Sequence, residues 1–411
     1  MSKIDELLAQ QCPNGVEFKT LGELGTFLGG LSGKSKEDFK NGNAKFITYM
    51  NVFSNISLNL DVTDTVKIGE GEKQNTIQYG DVLFTGSSET PNECGMSSVL
   101  TVRTDEMLYL NSFCFIYRFN DPELFLPSFS KYLFRSDYLR KQIIKTASGV
   151  TRFNVSKAKM AKVKIPVPPL EVQAEIVKIL DNFTELTAEL TAELTARKKQ
   201  YEYYRDLLLD FGVHGGATSE CKWRTIKLGD IGKISMCKRI MKSETSPDGD
   251  IPFYKIGTFG GEPNAYISKE TFEKYKSMYS FPKKGDILIS AAGTIGRTVV
   301  YDGEPAYYQD SNIVWIDNDE TKVINRYLYY VYQLSPWQIS TGGTIARLYN
   351  DNIANAKINI PSIKEQERIV SILDRFDKLC NDISEGLPAE IEARRKQYEY
   401  YRDKLLSFKE Q

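Results

Sequence analysis

The chain has 411 residues, which is longer than one ordinary domain and suits two or more. Apolar residues make up 41% and charged residues 26%, as in soluble globular proteins, and the formal net charge of −1 excludes a global basic field. Any site for nucleic acid therefore has to be a local patch. No run approaches the roughly 18 apolar residues that would predict a membrane span.

The six cysteines form no C-x-x-C pair, so their spacing implies neither a zinc site nor a disulfide framework. The first residues, MSKIDELLAQQ, contain two acidic side chains and lack the apolar core of a secretory signal. We therefore expect reduced thiols, a cytoplasmic location and no metal held by this chain.

The first half begins with a globular part that the sequence predicts as mixed α/β. The short apolar runs DVLFTG (81–86) and FCFIYRF (113–119) are typical of strands, and residues 127–147 show helical periodicity. The proline-bearing segment IPVPP (165–169) then leads into a long helix, because proline is tolerated at a helix start.

This long helix is predicted over residues 171–210, and it would span roughly 60 Å at ~1.5 Å per residue. Its apolar positions recur in steps of four and three from residue 172 to residue 194, which is coiled-coil spacing. Within it, LTAELTAELTA (186–196) repeats the tetrad T-A-E-L, whose Ala, Glu and Leu are strong helix formers. We expect the tetrads to lengthen the helix rather than to form a loop.

A second half repeats this plan after FGVHGGATSE (211–220), which is typical of a linker. LGELG (21–25) matches LGDIG (228–232), and YGDVLF (79–84) matches KGDILI (284–289). INRYLYYVYQL (324–334) again has helical periodicity. At an offset of 193 the matching pairs are Lys164/Lys357, Ile165/Ile358, Pro168/Pro361, Gln173/Gln366, Ile176/Ile369, Asp181/Asp374 and Phe183/Phe376. Beyond the tetrads the offset is 197, so the first half carries four extra residues.

The long helices of the two halves are expected to pack antiparallel, because a single apolar strip on so long a helix has to be covered. The sequence GLP (386–388) predicts a break or kink in the second helix. The seam of this spacer coiled coil is predicted to contain Ile176, Phe183, Leu186, Leu190, Leu194, Ile369, Phe376 and Ile383. The pair would hold two globular parts a set distance apart; the alternative is an ordinary helical hairpin without a metric role.

The fold prediction is thus α/β, with two globular domains separated by two long antiparallel coiled-coil helices and related by a pseudo-two-fold internal repeat. The globular domains are predicted at residues 1–165 and 214–358. The helical regions follow them at residues 166–213 and 359–411.

The strongest internal repeat is ARKKQYEYYRDLLLDF (196–211) against ARRKQYEYYRDKLLSF (393–408), identical at thirteen of sixteen positions. Coiled-coil packing would keep only the seam residues alike, whereas here polar positions repeat too. Because tyrosine and arginine are favoured at interfaces, we predict that this surface docks two copies of one partner. The predicted docking residues are Tyr201, Tyr203, Tyr204, Arg205, Tyr398, Tyr400, Tyr401 and Arg402. The alternative, a recent duplication, would have left the globular parts similar as well.

With its proline-led helices, paired variable parts and the RKKQYEYYRD helix, the chain resembles the DNA-specificity subunit of type I restriction–modification enzymes. The resemblance covers both halves through the element G-x-T…K-I-x-I-P…Q…I…L-D-x-F. It implies two target-recognition domains that each read one half of a split site on double-stranded DNA, with helices that set the gap. It also implies docking of two methyltransferase subunits and of restriction/translocase subunits. S-adenosylmethionine, ATP and Mg would then belong to the partner subunits and not to this chain.

Catalytic groups are not recognisable in the sequence. Adenine methylation would need an Asn/Asp-Pro-Pro-aromatic loop, which is missing, and GGLSGKS (29–35) has Leu28 where a phosphate loop requires glycine. The sole histidine, His214, lies in the linker, so no Ser/His/Asp set can be built. We therefore expect no enzyme activity from the chain alone, and a self-sufficient methyltransferase is disfavoured.

DNA binding should show as local basic and polar clusters. Lysine would mainly contact phosphate, whereas arginine and asparagine can also pair with base edges. The predicted DNA-binding residues are Lys34, Lys36, Arg152, Asn154, Lys157, Lys159, Lys238, Arg239, Lys242, Arg297, Arg347 and Asn350. The competing hypothesis is a coiled-coil scaffold that binds protein partners only, in which these residues would form an ordinary solvated face.

Overall fold

The computed structural model describes residues 3–211, 222–339 and 347–411. The chain divides into two units, the first formed by Met1–Thr191 together with Ile391–Gln411 and the second by Ala192–Glu390. The linker histidine His214 and residues 340–346 lie outside the described residues.

The first half contains seven labelled helices and twelve labelled strands within the described residues. The helices are α1 (Lys3–Gln11), α2 (Leu21–Leu24), α3 (Tyr49–Ser54), α4 (Pro127–Leu133), α5 (Asp137–Ile144), α6 (Lys157–Met160) and α7 (Leu170–Leu209). The strands are β1 (Glu17–Thr20), β2 (Gly25–Gly29), β3 (Ala44–Ile47), β4 (Thr65–Val66), β5 (Val82–Thr85), β6 (Ser87–Ser88), β7 (Ser97–Val99), β8 (Leu108–Leu110), β9 (Cys114–Phe119), β10 (Ala147–Ser148), β11 (Phe153–Val155) and β12 (Lys164–Val167).

The second half continues this series of elements. Its strands are β13 (Arg224–Lys227), β14 (Gly232–Met236), β15 (Ile251–Tyr254), β16 (Tyr266–Ile267), β17 (Ile287–Ser290), β18 (Thr298–Val300), β19 (Tyr307–Tyr308), β20 (Ile313–Asn318) and β21 (Lys357–Ile360). Its helices are α8 (Lys269–Met278), α9 (Asn325–Gln333), α10 (Asn350–Asn355), α11 (Ile363–Asn381) and α12 (Leu387–Leu405). Both strand predictions and the helix predicted at 324–334 are confirmed, whereas residues 127–147 form two helices because Ser136 caps a new one.

The two units share one sheet topology although their sequences differ between the repeated motifs. The main antiparallel sheet has the order β2-β9-β5-β7 in the first unit and β14-β20-β17-β18 in the second. A smaller mixed sheet, β4-β3-β8, corresponds to β16-β15-β19, and the pair β1-β12 corresponds to β13-β21. The pseudo-two-fold repeat therefore extends to the globular parts.

A close approach of strands explains the glycine that ends the repeated LGELG and LGDIG motifs. A Cβ on Gly25 would lie 2.3 Å from the carbonyl oxygen of Arg118 on β9. A Cβ on Gly232 would lie 2.3 Å from the carbonyl oxygen of Asp317 on β20. Since backbone atoms cannot move aside cheaply, only glycine allows β2 and β14 to begin here.

Buried glutamines fix the start of each long helix to its unit. Gln173 accepts a hydrogen bond from the backbone N–H of Leu126 at 2.9 Å and donates to the carbonyls of Leu124 and Pro168. Gln366 accepts from Ile324 at 3.0 Å and donates to Lys322 and Pro361 in the same way. Because a buried amide without partners is costly, these bonds fix the register of helix and domain.

About two turns further along, an aspartate in each helix accepts a hydrogen bond from a tyrosine of the domain. The Tyr132 hydroxyl donates to Asp181 at 2.6 Å, and the Tyr330 hydroxyl donates to Asp374 at 2.5 Å. Burial, reinforced by the neighbouring carboxylate, raises the pKa of both tyrosines, so each hydroxyl keeps its proton to donate. The repeated Gln and Asp positions are therefore the ones that attach helix to domain.

Helix α7 is continuous through the tetrads, as predicted. It runs from Leu170 to Leu209, and the hydroxyls of Thr187 and Thr191 each donate to the carbonyl four residues earlier, both at 2.8 Å. The second half differs, because α11 ends at Asn381 and α12 begins at Leu387, so the break predicted at GLP is confirmed. Within the described part of the chain, no helix is apolar enough over sufficient length to traverse a bilayer.

Candidate nucleic-acid interface

Several of the predicted DNA-binding residues lie at one edge of the main sheet in each unit. Because neighbouring strands are antiparallel, the ends of β2 and β5 and the starts of β9 and β7 share an edge in the first unit. The ends of β14 and β17 and the starts of β20 and β18 share the corresponding edge in the second unit. We call these edges the first and second reading edges.

At the first reading edge a cleft of about 900 Å³ contains Arg152. Its Nε donates to the hydroxyl of Ser87 at 3.1 Å, and its guanidinium carbon lies 5.2 Å from the ring centre of Phe113. Phe113 is 56% exposed and Met50 59% exposed, which is high for apolar side chains. The cleft is lined by Tyr49, Met50, Phe53, Ser87, Ser88, Glu89, Glu93, Phe113, Thr151 and Arg152.

The other basic candidates of this unit surround the cleft or follow β2. Asn154 on β11 is exposed and donates to the carbonyl of Arg152 at 3.4 Å. Lys157 and Lys159 are exposed on α6, and the Lys157 ammonium lies 5.5 Å from the ring centre of Phe115. Lys36 is exposed at the first position of the short 3-10 helix Lys36–Phe39.

The structure contradicts the prediction that Lys34 is a DNA-binding residue. Its side chain is only 8% exposed, and its ammonium donates to Glu72 and to the carbonyl of Lys67, both at 2.6 Å. Hydrogen bonding by Lys34, then by Gln74 and Gly69, lowers the pKa of Glu72 to about 2. The prediction that Lys34 offers a free basic group is therefore wrong, because the group joins two segments of the fold.

Replacing Glu72 with Gln is expected to destabilise the chain at neutral pH, because the largely buried Lys34 ammonium would lose its carboxylate. A carboxylate with a depressed pKa contributes stability above its ordinary pKa, and that contribution is lost as the pH falls toward about 2. The urea midpoint of the full chain should be lower for Glu72→Gln than for the parent at about pH 7 and similar near pH 2.

The matched control is Glu106→Gln, whose partner Lys45 lies 2.8 Å away in an exposed pair. Exposed pairs contribute little, so this variant should unfold nearly as the parent does. An unchanged midpoint for Glu72→Gln would contradict the structural role of Lys34.

At the second reading edge, two arginines contact the adjacent residues Asp310 and Ser311, which precede β20. Arg347 donates from Nη2 to the hydroxyl of Ser311 at 2.8 Å and to its carbonyl at 3.1 Å. Arg239 is exposed, and its Nε lies 3.7 Å from the Asp310 carboxylate. The Tyr349 ring centre is 6.0 Å from the Arg347 guanidinium carbon. Residues 310 and 311 thus bring both predicted arginines together.

The remaining candidates of this unit lie around that pair. The Lys238 ammonium is 5.3 Å from the ring centre of Tyr279. Arg297 directly precedes β18 and donates to the carbonyl of Phe259 at 2.8 Å. Lys242 is exposed at the first position of a 3-10 helix, in the place that Lys36 takes in the first unit. Asn350 is exposed as the first residue of α10.

The repeated helix divides into buried and exposed faces, and the same positions have the same role in both copies. Tyr201 is buried and donates to Gln333 at 2.7 Å, whereas its counterpart Tyr398 has its ring centre 6.2 Å from that of Tyr132. Tyr204 stacks on Phe376 at 5.6 Å. Tyr401 stacks on Phe183 at 5.3 Å.

The arginines of the predicted docking set are also largely covered. Arg205 pairs with Asp206 at 2.7 Å and Arg402 with Asp403 at 2.9 Å. Tyr203 and Tyr400, by contrast, are 63% and 61% exposed. Five of the eight predicted docking residues are thus largely covered within their own unit, whereas Tyr203 and Tyr400 are the most exposed and Tyr204 is 37% exposed beside Phe376. The docking of a partner by this set stays a prediction.

All but one of the residues predicted for the seam are at least half-buried. Ile176 and Ile369 are buried, and Phe183 and Phe376 stack on the tyrosines just named. Leu186, Leu190 and Leu194 are half-buried on α7. Ile383 is 86% exposed, so its assignment to the seam is wrong, because α11 ends two residues before it.

A family model described as the type I restriction modification DNA specificity domain matches the chain twice, over residues 13–197 and 220–393. The chain belongs to the type I restriction modification DNA specificity family. A Haemophilus influenzae protein named as a type I restriction enzyme specificity subunit is 59% identical over 269 residues, which cover 64% of this chain and 68% of that protein. The EcoR124I/EcoR124II specificity subunit of Escherichia coli is 37% identical over 272 residues, which cover 62% and 65%.

A solved structure supports the fold over nearly the whole length. The chain described under "Structural basis underlying complex assembly and conformational transition of the type I R-M system" has a TM-score of 0.61 and 19% identity, covering 96% of this chain and 98% of that chain. The expected mixed α/β fold with repeated domains and a long helix is confirmed for this specificity-family member.

Several neighbours of the basic residues at the reading edges were missed by the sequence analysis. Ser87 and Phe113 hold Arg152, and Ser311 holds Arg347. A usable signal was present in the first half, since Ser87 follows one predicted strand and Phe113 begins the next; Ser311 precedes β20, a strand that the sequence analysis did not predict. Polar and aromatic residues at matched strand ends indicate a site once the strand order is known.

Proposed function

We propose that this chain is the non-catalytic, DNA-reading subunit of a type I restriction–modification complex. The parts at residues 1–165 and 214–358 each read one half of a bipartite site on double-stranded DNA. The helical regions at residues 166–213 and 359–411 set the gap between the half-sites. They also dock two methyltransferase subunits, which restriction/translocase subunits join.

One observation carries the proposal: the units share a topology but present different side chains at the same sheet edge. The first reading edge presents Met50 and Phe113 beside Arg152, whereas the second presents Arg239 and Tyr349 beside Arg347. A shared scaffold with different side chains at one edge suits two readers that recognise different half-sites.

Catalysis is assigned to the partner subunits. The methyltransferase subunits would bind S-adenosylmethionine, and the translocating subunits would bind ATP and Mg, so that the complex acts as a DNA adenine methyltransferase and an ATP-dependent endonuclease. The chain itself contributes recognition and geometry, and we place it in the cytoplasm with the complex.

The decisive experiment is base-resolution mapping of adenine methylation in cells that carry the methyltransferase subunit with and without this chain. We expect a single bipartite motif with a fixed gap that disappears when the chain is removed. A motif that persists without the chain, or methylation without sequence preference in its presence, would overturn the proposal.

Salt dependence separates this function from a scaffold that binds only proteins. Contacts between lysine or arginine and phosphates release counterions, so the affinity of the assembled complex for duplex DNA should fall steeply with rising salt. A scaffold would show no affinity for DNA at any salt concentration.

A further inference from the structure

Each reading edge holds one arginine in the same chemical setting. The guanidinium of Arg152 donates to the Ser87 hydroxyl beside the ring of Phe113. The guanidinium of Arg347 donates to the Ser311 hydroxyl beside the ring of Tyr349. A neutral hydroxyl orients the guanidinium without neutralising its charge, so the group is positioned for a ligand before one arrives.

The guanidinium groups also keep N–H donors that are available to the edge of a DNA base. Ser87 engages only the Nε of Arg152, and Ser311 engages only the Nη2 of Arg347. Arginine has five N–H donors in a planar fork. Arg347 uses Nη2 for both Ser311 contacts and would reach a base through its other donors, whereas the Nε contact of Arg152 leaves its parallel Nη1 and Nη2 donors as a pair. Such a pair fits O6 and N7 of guanine, which is the commonest specific contact in the major groove.

We propose that Arg152 and Arg347 are specificity-determining residues, each reading one guanine in a different half-site. This inference rests on the proposed function and names the base that each unit recognises at one position. The exposed Met50 and Phe113 beside Arg152 would contact base edges or a thymine methyl group, an apolar environment that suits bases better than phosphates. The exposed lysines nearby, Lys36 and Lys157, are left for phosphate contacts.

The internal repeat favours base reading over a shared phosphate contact. At the offset of 193 that relates the halves, Arg347 matches Asn154 and not Arg152. A contact that only positions the backbone would be expected at the same place in both units. Arginines that lie two positions apart on one scaffold instead suit two readers with different target sequences.

The test uses the complete complex with Arg152→Gln or Arg347→Gln and base-resolution mapping of methylation. Since glutamine pairs with adenine, Arg152→Gln should lower the preference for guanine at one position of one half-site, by roughly 10- to 100-fold, and raise that for adenine. The other half-site and the gap should stay unchanged. Arg347→Gln should act in the same way on the other half-site only.

Arg103→Gln is the matched control, because Arg103 lies over Tyr79, 4.4 Å from its ring centre, beyond the end of β7 at the opposite edge of the sheet. The methylation motif of the Arg103→Gln complex should equal that of the parent complex. If Arg152→Gln abolishes all methylation, Ser87→Ala decides, since it removes only the orienting hydroxyl and should weaken the preference at the same single position.

Two results would overturn the inference while leaving the proposed function intact. One is a parental motif in both arginine variants. The other is a uniform loss of methylation over all sites without a change of motif in the arginine variants and in Ser87→Ala, which indicates phosphate contacts. By contrast, the lack of a bipartite motif in the parent complex would refute the proposed function itself.

Discussion

Deleting one T-A-E-L tetrad from α7 is expected to move methylation to sites with a shorter gap. Because the tetrads are helical and lie where the chain passes from the first unit to the second, four fewer residues remove about 6 Å of helix, or one to two base pairs at ~3.4 Å per step. Both half-sites should keep their sequences, because the reading edges are untouched. Mapping methylated adenines before and after the deletion measures the change directly.

Adding one tetrad is the control for the direction of the change, because it should lengthen the gap between the half-sites by the same amount. A control for composition is Thr191→Ala, which removes a hydroxyl that donates to the Thr187 carbonyl but keeps the helix length. Its gap should equal that of the parent. An unchanged gap after deletion would show that α7 has no metric role.

The second half must absorb such a change at residues 382–386, between α11 and α12. This segment lies close to the division between the units at Glu390 and Ile391. A turn can alter its dihedral angles at lower cost than a continuous helix can change its length. We therefore expect the GLP interruption, which departs from the plan of the first half, to accommodate changes in tetrad number.

The sequence was sufficient for the long helices because their signals are local. Ala, Glu and Leu in the tetrads favour helix without tertiary contacts, and α7 was placed to within one residue at each end. Gly386 and Pro388 marked the break between α11 and α12 just as locally.

The sequence did not reveal the shared sheet topology, because a strand constrains only which residues are buried and how its side chains alternate between the two faces. Phe84 on β5 pairs with Phe115 on β9, while Ile289 on β17 pairs with Val314 on β20, so different apolar residues fill equivalent positions. The match of YGDVLF to KGDILI relates β5 to β17, but it does not reveal which strands lie beside them. The shared topology becomes visible only once strand order is known.

Partners that lie far apart in sequence explain the errors in the candidate site. Lys34 resembled a free basic group because Glu72, its partner, is 38 residues away. The inward tyrosines resembled docking residues because tyrosine suits both a core and an interface. Tyr401 stacks on Phe183, more than two hundred residues earlier in the chain, and a helical repeat does not reveal such contacts.

Replacing the two outward tyrosines, Tyr203→Ala with Tyr400→Ala, is expected to prevent the docking of both methyltransferase subunits. These rings are the large exposed side chains that the two helix copies share, and their packing against Tyr204 and Tyr401 is the same, at 5.4 and 5.3 Å between ring centres. Truncating such an anchor typically costs about 2 kcal/mol, or roughly 30-fold in Kd, at each site. The mass of the assembled complex, measured by native mass spectrometry, reports how many subunits remain bound.

Single variants test the two docking sites separately, because two identical surfaces should each bind one methyltransferase subunit independently. Tyr203→Ala alone should leave one methyltransferase subunit bound with parental affinity, and Tyr400→Ala alone should leave the other. Tyr79→Ala removes an exposed tyrosine that lies outside the repeated helix, so it should keep both subunits. Full assembly by the double variant would show that the repeated helix is retained for the inward packing of Tyr201, Tyr204, Tyr398 and Tyr401 alone, and would move the docking surface elsewhere.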